Sequence, residues 1–200
     1  MSAMALILAS GSTSRRAMLE AAGVTFIVSV PDLDEGVLKQ SLLGSCKDAT
    51  ALAQALADAK TLSVVQRHPD ALVLGADQVL VCQDRIFNKA MDRDAARQTL
   101  EILRGKNHTL ISAAAIAKDG QIVRRCHDSA TLHMRDFSDA FLDAYLTAEI
   151  PDVLGSVGCY RVEGRGAQLF DEVQGDQFCI RGLPLFPVLN ALRQFGALLE

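Results

Sequence analysis

"LILASGSTSRRAMLEAAGV", residues 6–24, decides the architecture of this 200-residue chain. Four apolar residues, Leu6 to Ala9, read as a buried strand, and Ser10-Gly11-Ser12 turns the chain. Ser12 to Ala22 then reads as a helix stopped by Gly23, the usual residue just past a helix end. A strand that passes through a small polar turn into a helix is an α/β unit. Such a turn aims free backbone N–H groups, and here the Ser10 and Ser12 hydroxyls, at one spot where the helix dipole also favours an anion. Arg15 and Arg16 on the first turn can add a charge-assisted fork to a phosphate. The plainer alternative is an N-cap serine with surface arginines on an ordinary helix.

Outward from this stretch, strands and helices alternate irregularly. "VTFIVSV" (24–30) reads as a second strand before Pro31. Asp48 to Gln66 reads as a long helix with Leu52, Leu56, Ala59 and Leu62 near one face, and "ALVLGADQVLV" (71–81) as a strand with a glycine break inside it. Asp92 caps a helix that ends at Gly105, and "HTLISAAAIAKDGQIV" (108–123) is a hairpin turned at Asp119-Gly120. Ser138 begins an amphipathic helix ended by Pro151. The Gly-rich run "GSVGCYRVEGRGAQLFDEVQGD" (155–176) precedes a last helix entered near Pro187. There is no repeat, low-complexity tract or linker. The hairpin and the Gly-rich run argue against a wholly parallel sheet, so the expected fold is α/β with a mixed, strongly twisted sheet flanked by helices. The expected organisation is one compact domain over 1–200, with two lobes about a cleft as a compatible arrangement.

Half the residues are hydrophobic and the formal net charge is −4. With no run of lysines or arginines the electrostatic footprint of a nucleic-acid binder is missing, so an anionic ligand must be met locally. No segment approaches the apolar length of a membrane helix, and a soluble, cytoplasmic protein is expected. The five cysteines, Cys46, Cys82, Cys126, Cys159 and Cys179, form no C-x-x-C pair and read as reduced core residues.

Several internal residues carry possible chemistry. Asp32, Asp34 and Glu35 follow a strand and offer oxygen ligands to a hard cation such as Mg²⁺, or form a solvated loop. Lys60 lies one turn after Leu56, within or beside the apolar face of its helix, and either snorkels to water or is held for a buried anion. In "VLGADQ" (73–78) a buried strand reaches Gly75-Ala76, and Asp77 then stands where a bare carboxylate would be costly. It wants a metal, a cation or a proton to accept, or else caps a turn. Lys89, in "IFNKA" (86–90), is a further possible phosphate contact or a surface lysine.

Taken together, "ASGSTSRR" (9–16), "DE" (34–35), "AK" (59–60), "GADQ" (75–78), "LRGKNH" (103–108), "EGRGAQLFDEVQGD" (163–176) and "GLPL" (182–185) resemble the Maf family of nucleoside triphosphate pyrophosphatases. The resemblance runs in family order over nearly the whole chain. It implies an elongated mixed sheet like that of inosine triphosphate pyrophosphatases, frequent homodimers, and metal-dependent hydrolysis of the α–β phosphoanhydride to a monophosphate and pyrophosphate. It also implies Mg²⁺ or Mn²⁺ as cofactor. By position, Asp77 matches the proton acceptor, while Arg15, Glu35, Lys60 and Lys89 match the phosphate and metal site. Which of Glu35 and Asp77 holds metal is left open. The family's G-K-P becomes Asn88-Lys89-Ala90 here, so the lysine is kept without its rigid turn, and His108 at another landmark is read as structural.

Three family positions that sort substrates fall on Ser14, Gln78 and Glu163. Members preferring dTTP and UTP show Arg, Thr and Gln there, whereas Gln and Glu at the last two resemble the 7-methyl-GTP branch. A glutamate accepts from the N1–H and exocyclic amine of guanine and gains further when N7 methylation makes the base cationic. Uracil would set two carbonyls against it. Ser14 replaces the bulkier residue expected in that branch, and Glu163 has a plainer role as a charged residue on an exposed loop. Rivals are a dTTP or UTP enzyme of the same family, a nucleotide-sensing regulator of cell division without turnover, and a dinucleotide oxidoreductase. The last lacks G-x-G-x-x-G after the first strand.

Overall fold

Strand β1 (Leu6–Ala9) is buried along its whole length and passes through Ser10–Ser12 into helix α1 (Thr13–Ala21) in the computed structural model, which describes residues 4–199. Ser12 is the N-cap of α1, accepting from the Arg15 N–H, and Gly23 takes the positive φ of 72° that closes its C-terminal end. There follow β2 (Ile27–Val28), α2 (Glu35–Leu43), α3 (Ala49–Val65), β3 (Leu72–Cys82), β4 (Arg85–Ile86) and α4 (Arg93–Leu103). Then come β5 (Asn107–Lys118), β6 (Gln121–Met134), α5 (Asp139–Glu149), β7 (Phe170–Gln174), α6 (Gln177–Ile180) and α7 (Leu185–Gln194).

The strands form one mixed sheet of order β2-β1-β3-β5-β6-β7, with β4 paired to β3. β1 is parallel to both β2 and β3, and β4 and β7 are antiparallel to β3 and β6. The expected α/β class with a mixed sheet is thus the observed one. Asp119 and Gly120 turn the β5–β6 hairpin at φ values of 50° and 76°, the pair of positive angles that a two-residue turn of this hand requires.

Four expectations are corrected. The strand over 24–30 contracts to Ile27–Val28, since β1 offers only a short partner and both residues are exposed at the sheet edge. β3 runs without a break through Gly75, where the missing side chain serves close packing. Leu62 is exposed, because the buried face of α3 is formed by the pairs Leu52/Ala53, Leu56/Ala57, Lys60/Thr61 and Val64/Val65. The acidic stretch is no loop throughout: Asp34 caps α2, accepting from the Val37 N–H at 3.0 Å. None of the nine residues of α2 is buried, so it has no apolar stripe to betray it. The Gly-rich run also holds a strand, β7, after a 3₁₀ turn at Arg165–Leu169.

Contacts divide the chain into two compact units. One holds the residues up to Gln78, Ile111–Asp128 and those from Gly182 onward; the other holds Val79–Leu110 and Ser129–Arg181. In the first, Ile7, Ala9, Val64, Val73 and Ala117 form a buried cluster. In the second, Leu80, Leu100, Leu103, Leu132, Leu142 and Leu146 anchor a larger one. No helix among the described residues is long and apolar enough to cross a membrane. All five cysteines are free thiols; four are buried and Cys46 is partly so.

Candidate active site

The buried stripe of α3 brings a lysine into the interior. Lys60 occupies a position equivalent to Leu52, Leu56 and Val64, each four residues apart, so its side chain faces the sheet and only 4% of the residue is exposed. An ammonium so placed needs compensation. It has two carboxylates: Asp77 Oδ1 at 2.9 Å and Glu35 Oε1 at 2.8 Å. Asp77 is largely buried, with its side chain 16% exposed, whereas Glu35, on the first turn of α2, is 55% exposed.

Gly75 sets this meeting. A Cβ there would lie 2.3 Å from Thr61 Oγ1 and 3.2 Å from the Ala57 carbonyl, so only glycine lets β3 approach α3 this closely. Side chains alternate along a strand, and Asp77, two residues on, therefore shares the face turned to α3 and meets Lys60 beside Thr61. The Thr61 hydroxyl donates to the Ala57 carbonyl at 2.7 Å, which holds the close-packed face in place.

Arg15 lies in the same unit. Where Arg16 turns outward to Glu20, Arg15 is buried, donating from Nε to the Gly182 carbonyl at 2.7 Å and from Nη1 to Ser10 Oγ at 3.3 Å. Ser10 Oγ also accepts from the Ser12 N–H at 3.2 Å, so the turn and the guanidinium are braced together. Burial lowers the Arg15 pKa from its ordinary value, and Asp77 and Glu35 oppose that shift. A guanidinium keeps its proton in proteins, so the group stays a cation. A buried cation, a helix N-terminus and two hydroxyls can receive a phosphate chain, and an acid held by a lysine can take a proton from water.

Hard oxygen donors are what a Mg²⁺ or Mn²⁺ ion selects. Mg²⁺ is commonly held by one or two carboxylates together with substrate phosphates rather than by a cage of side chains. Glu35 and Asp77, converging on one ammonium, fit that pattern. Among the described residues no group of three or more His, Cys, Asp or Glu side chains converges.

Residues 5–195 match the family model described as Maf-like protein. The chain belongs to the Maf family. It is 46% identical over 98% of its length to a nucleoside triphosphate pyrophosphatase of Granulibacter bethesdensis, of which the alignment covers 99%. It is 44% identical over 99% of its length to a protein of the same name from Caulobacter vibrioides, again covering 99% of that protein. A 7-methyl-GTP pyrophosphatase of Brucella abortus is 42% identical over 94% of the chain and 95% of its own length. The names of these relatives describe hydrolases acting on phosphoanhydrides.

Of the positions matching Maf landmarks, the structure brings Ser10, Ser12, Arg15, Glu35, Lys60 and Asp77 together in the first unit. Ser14 is partly exposed on the first turn of α1. Gln78 falls on the face of β3 opposite Asp77, and its Nε2 donates to the buried Ser112 Oγ at 3.1 Å. Lys89 and Glu163 belong to the second unit. Lys89 is exposed between buried Phe87 and Ala90, and Glu163 pairs with Arg181 Nε at 3.5 Å. His108 is buried there, hydrogen-bonded through Nε2 to the Tyr160 hydroxyl at 2.7 Å, with burial lowering its pKa to about 4.

Thr61, Ser112, Arg181 and the backbone of Gly182 were not among the residues read as functional. "GLPL" marked Gly182 as a landmark, but a carbonyl acceptor leaves no trace in residue type. The small side chains of Gly75-Ala76 already allow a close approach in the sequence, and the structure shows that Thr61 and the Ala57 carbonyl are what Gly75 approaches.

Proposed function

We propose that this Maf-family chain is a nucleoside triphosphate pyrophosphatase acting on 7-methyl-GTP or a related modified nucleotide. It is an enzyme, a hydrolase of phosphoanhydrides, working as one functional domain over 1–200. The observation that carries this is the buried Lys60 between Glu35 and Asp77 in the unit that also holds Arg15.

Arg15, the N–H groups at the start of α1, and Ser10 and Ser12 bind the triphosphate, and Lys89 adds a contact. Lys60 pairs with the Asp77 carboxylate and orients it. A water oxygen bonds to phosphorus as the α–β anhydride P–O bond breaks in line; pyrophosphate leaves, and the water proton passes to the Asp77 carboxylate. Glu35 and Asp77 would hold a Mg²⁺ or Mn²⁺ ion, which when bound supplies positive charge to the phosphate oxygens. Fixed cations of this kind favour the more charged transition state without reorganisation.

Glu163 reads the base, accepting from the N1–H and amine of guanine, with Gln78 and Ser14 as further selecting positions. The names of relatives such as the Brucella abortus protein support the 7-methyl-GTP preference, and Glu163 supplies its chemistry. Five free thiols suit a cytoplasmic protein. Exposed Ile27, Val28 and Val30 along the sheet edge suit a homodimer, to be checked by light scattering. Membranes and nucleic acid are not partners in this scheme.

The test is pyrophosphate release from 7-methyl-GTP, GTP, dTTP and UTP by the unaltered chain and by Glu163→Gln. A loss of preference for 7-methyl-GTP in the variant is expected; an unaltered ranking removes Glu163 as the selecting residue.

A further inference from the structure

Glu163 stands on a loop fixed from several sides. Arg161 Nη2 is held by Glu149 Oε2 and Asp152 Oδ2, each at 3.2 Å, and Glu149 is buried although charged. Gly164 N–H donates to the Arg161 carbonyl at 3.2 Å. A Cβ at Gly166 would lie 2.4 Å from the Arg161 carbonyl oxygen, so the backbone is drawn tightly around that residue. The loop therefore presents Glu163 at a set place.

The cation facing it comes from another element of the same unit. Arg181 follows α6, whose Cys179 and Ile180 are buried and whose N-terminus is capped by Asp176, accepting from Phe178 N–H and Cys179 N–H. With its backbone fixed in this way, Arg181 lies with its side chain 23% exposed, its Nε buried and 3.5 Å from Glu163 Oε1. Arg161, already engaged by Glu149 and Asp152, also feels the Glu163 charge.

Resting on the assignment of Glu163 as the base-reading residue, we propose that Arg181 tunes base selection by compensating the Glu163 charge. A neutral guanine is recognised by accepting its N–H donors, which a paired carboxylate still does through its lone pairs. A 7-methylguanine adds a positive charge, and the benefit of that charge depends on the net field at the carboxylate. Arg181 cancels much of that field, so it lowers the advantage of the cationic base over the neutral one. The chain then discriminates less between the two triphosphates than Glu163 alone would make it. Arg181 acts through Glu163 and touches no reacting atom, which makes it a positioning residue.

The sign of this effect is opposite to simple damage. For the full chain, kcat/KM for 7-methyl-GTP and for GTP is measured with the unaltered protein, Arg181→Met, Arg181→Lys, Glu163→Gln and the double variant Glu163→Gln/Arg181→Met. Arg181→Met should raise the 7-methyl-GTP to GTP ratio by about fivefold, the size expected for losing one partly exposed pair. Arg181→Lys should stay near the original ratio, and the Met change should have no effect on the ratio once Glu163 is Gln. If the Met protein does not fold, Arg181→Gln, which keeps a polar group and removes the charge, makes the same test. An unchanged or lower ratio overturns the inference, as does an equal rise in the Glu163→Gln background. If Glu163→Gln itself leaves the ratio unaltered, the assignment of Glu163 has failed. If Glu163→Gln lowers the ratio but Arg181→Met does not raise it, only the role of Arg181 has failed.

Discussion

Lys60 Nζ lies 2.9 Å from Asp77 Oδ1, joining the middle of a buried helix face to the middle of a strand. The pair is held by a neighbouring close approach, the bare Cα of Gly75 against the Thr61 side chain. A cation in a core position and an acid two residues past a glycine are two parts of one packing arrangement.

Lys60→Met removes the cation shared by two carboxylates. Half-exposed Glu35 is well screened, but Asp77 is left as a largely buried negative charge. Stability should fall by about 1–3 kcal/mol and turnover by about a hundredfold. Urea unfolding and kcat check the two separately, and Lys60→Arg should restore stability better than activity because its planar fork differs from an ammonium.

Gly75→Ala places a methyl 2.3 Å from Thr61 Oγ1. The strand must move from α3, so a loss of about 1–3 kcal/mol should accompany a fall in kcat as Asp77 is displaced from Lys60. Adding Thr61→Ala should recover part of the stability, since the hydroxyl is the closest atom in the way while the backbone contacts remain. A double variant less stable than the sum of the two singles would contradict the packing account.

Much of this was legible in residue order, and what was not has physical causes. Ser12, Asp48, Asp92 and Ser138 announce helix starts because a cap is a local chemical need, and each is observed as an N-cap. Asp119-Gly120 announces its turn for the same reason. Helix α2 escaped because none of its residues is fully buried, and the turn at Gln83 and Asp84 because neither residue is glycine although both have positive φ. For the site, Lys60 had two open roles, and its choice rests on Glu35 and Asp77, which come near only after folding. Gln78, adjacent to Asp77 in sequence, faces Ser112 instead, as strand alternation demands.

Arg15→Lys should raise KM for a nucleoside triphosphate by roughly tenfold, with a smaller change in kcat. A lysine cannot reproduce both the bond to the Gly182 carbonyl and the bond to Ser10 Oγ. Initial-rate measurements over substrate concentration check it, and an unaltered KM would remove Arg15 from phosphate binding.

His108 makes folding depend on pH. Its pKa falls from an ordinary 6.5 to about 4 in the folded chain, chiefly through burial. The unfolded chain therefore takes up the proton first as pH drops. The stability from keeping the ring neutral is fully present above about pH 6.5 and is lost as pH falls towards 4. The loss is on the order of 3 kcal/mol when complete. Urea unfolding at several pH values should show this slope, and His108→Phe should flatten it.

In the proposed mechanism Asp77 accepts the proton of the attacking water. The most direct measurement is pyrophosphate release with Mg²⁺ and with Mn²⁺ from 7-methyl-GTP, GTP, CTP, dTTP and UTP by the unaltered chain and by Asp77→Asn, beside nucleotide affinity by calorimetry. That mechanism requires release from at least one triphosphate, 7-methyl-GTP foremost, that falls by about a thousandfold in Asp77→Asn while nucleotide still binds. Equal turnover in the variant, or binding without release from any of the five by the unaltered protein, would contradict it.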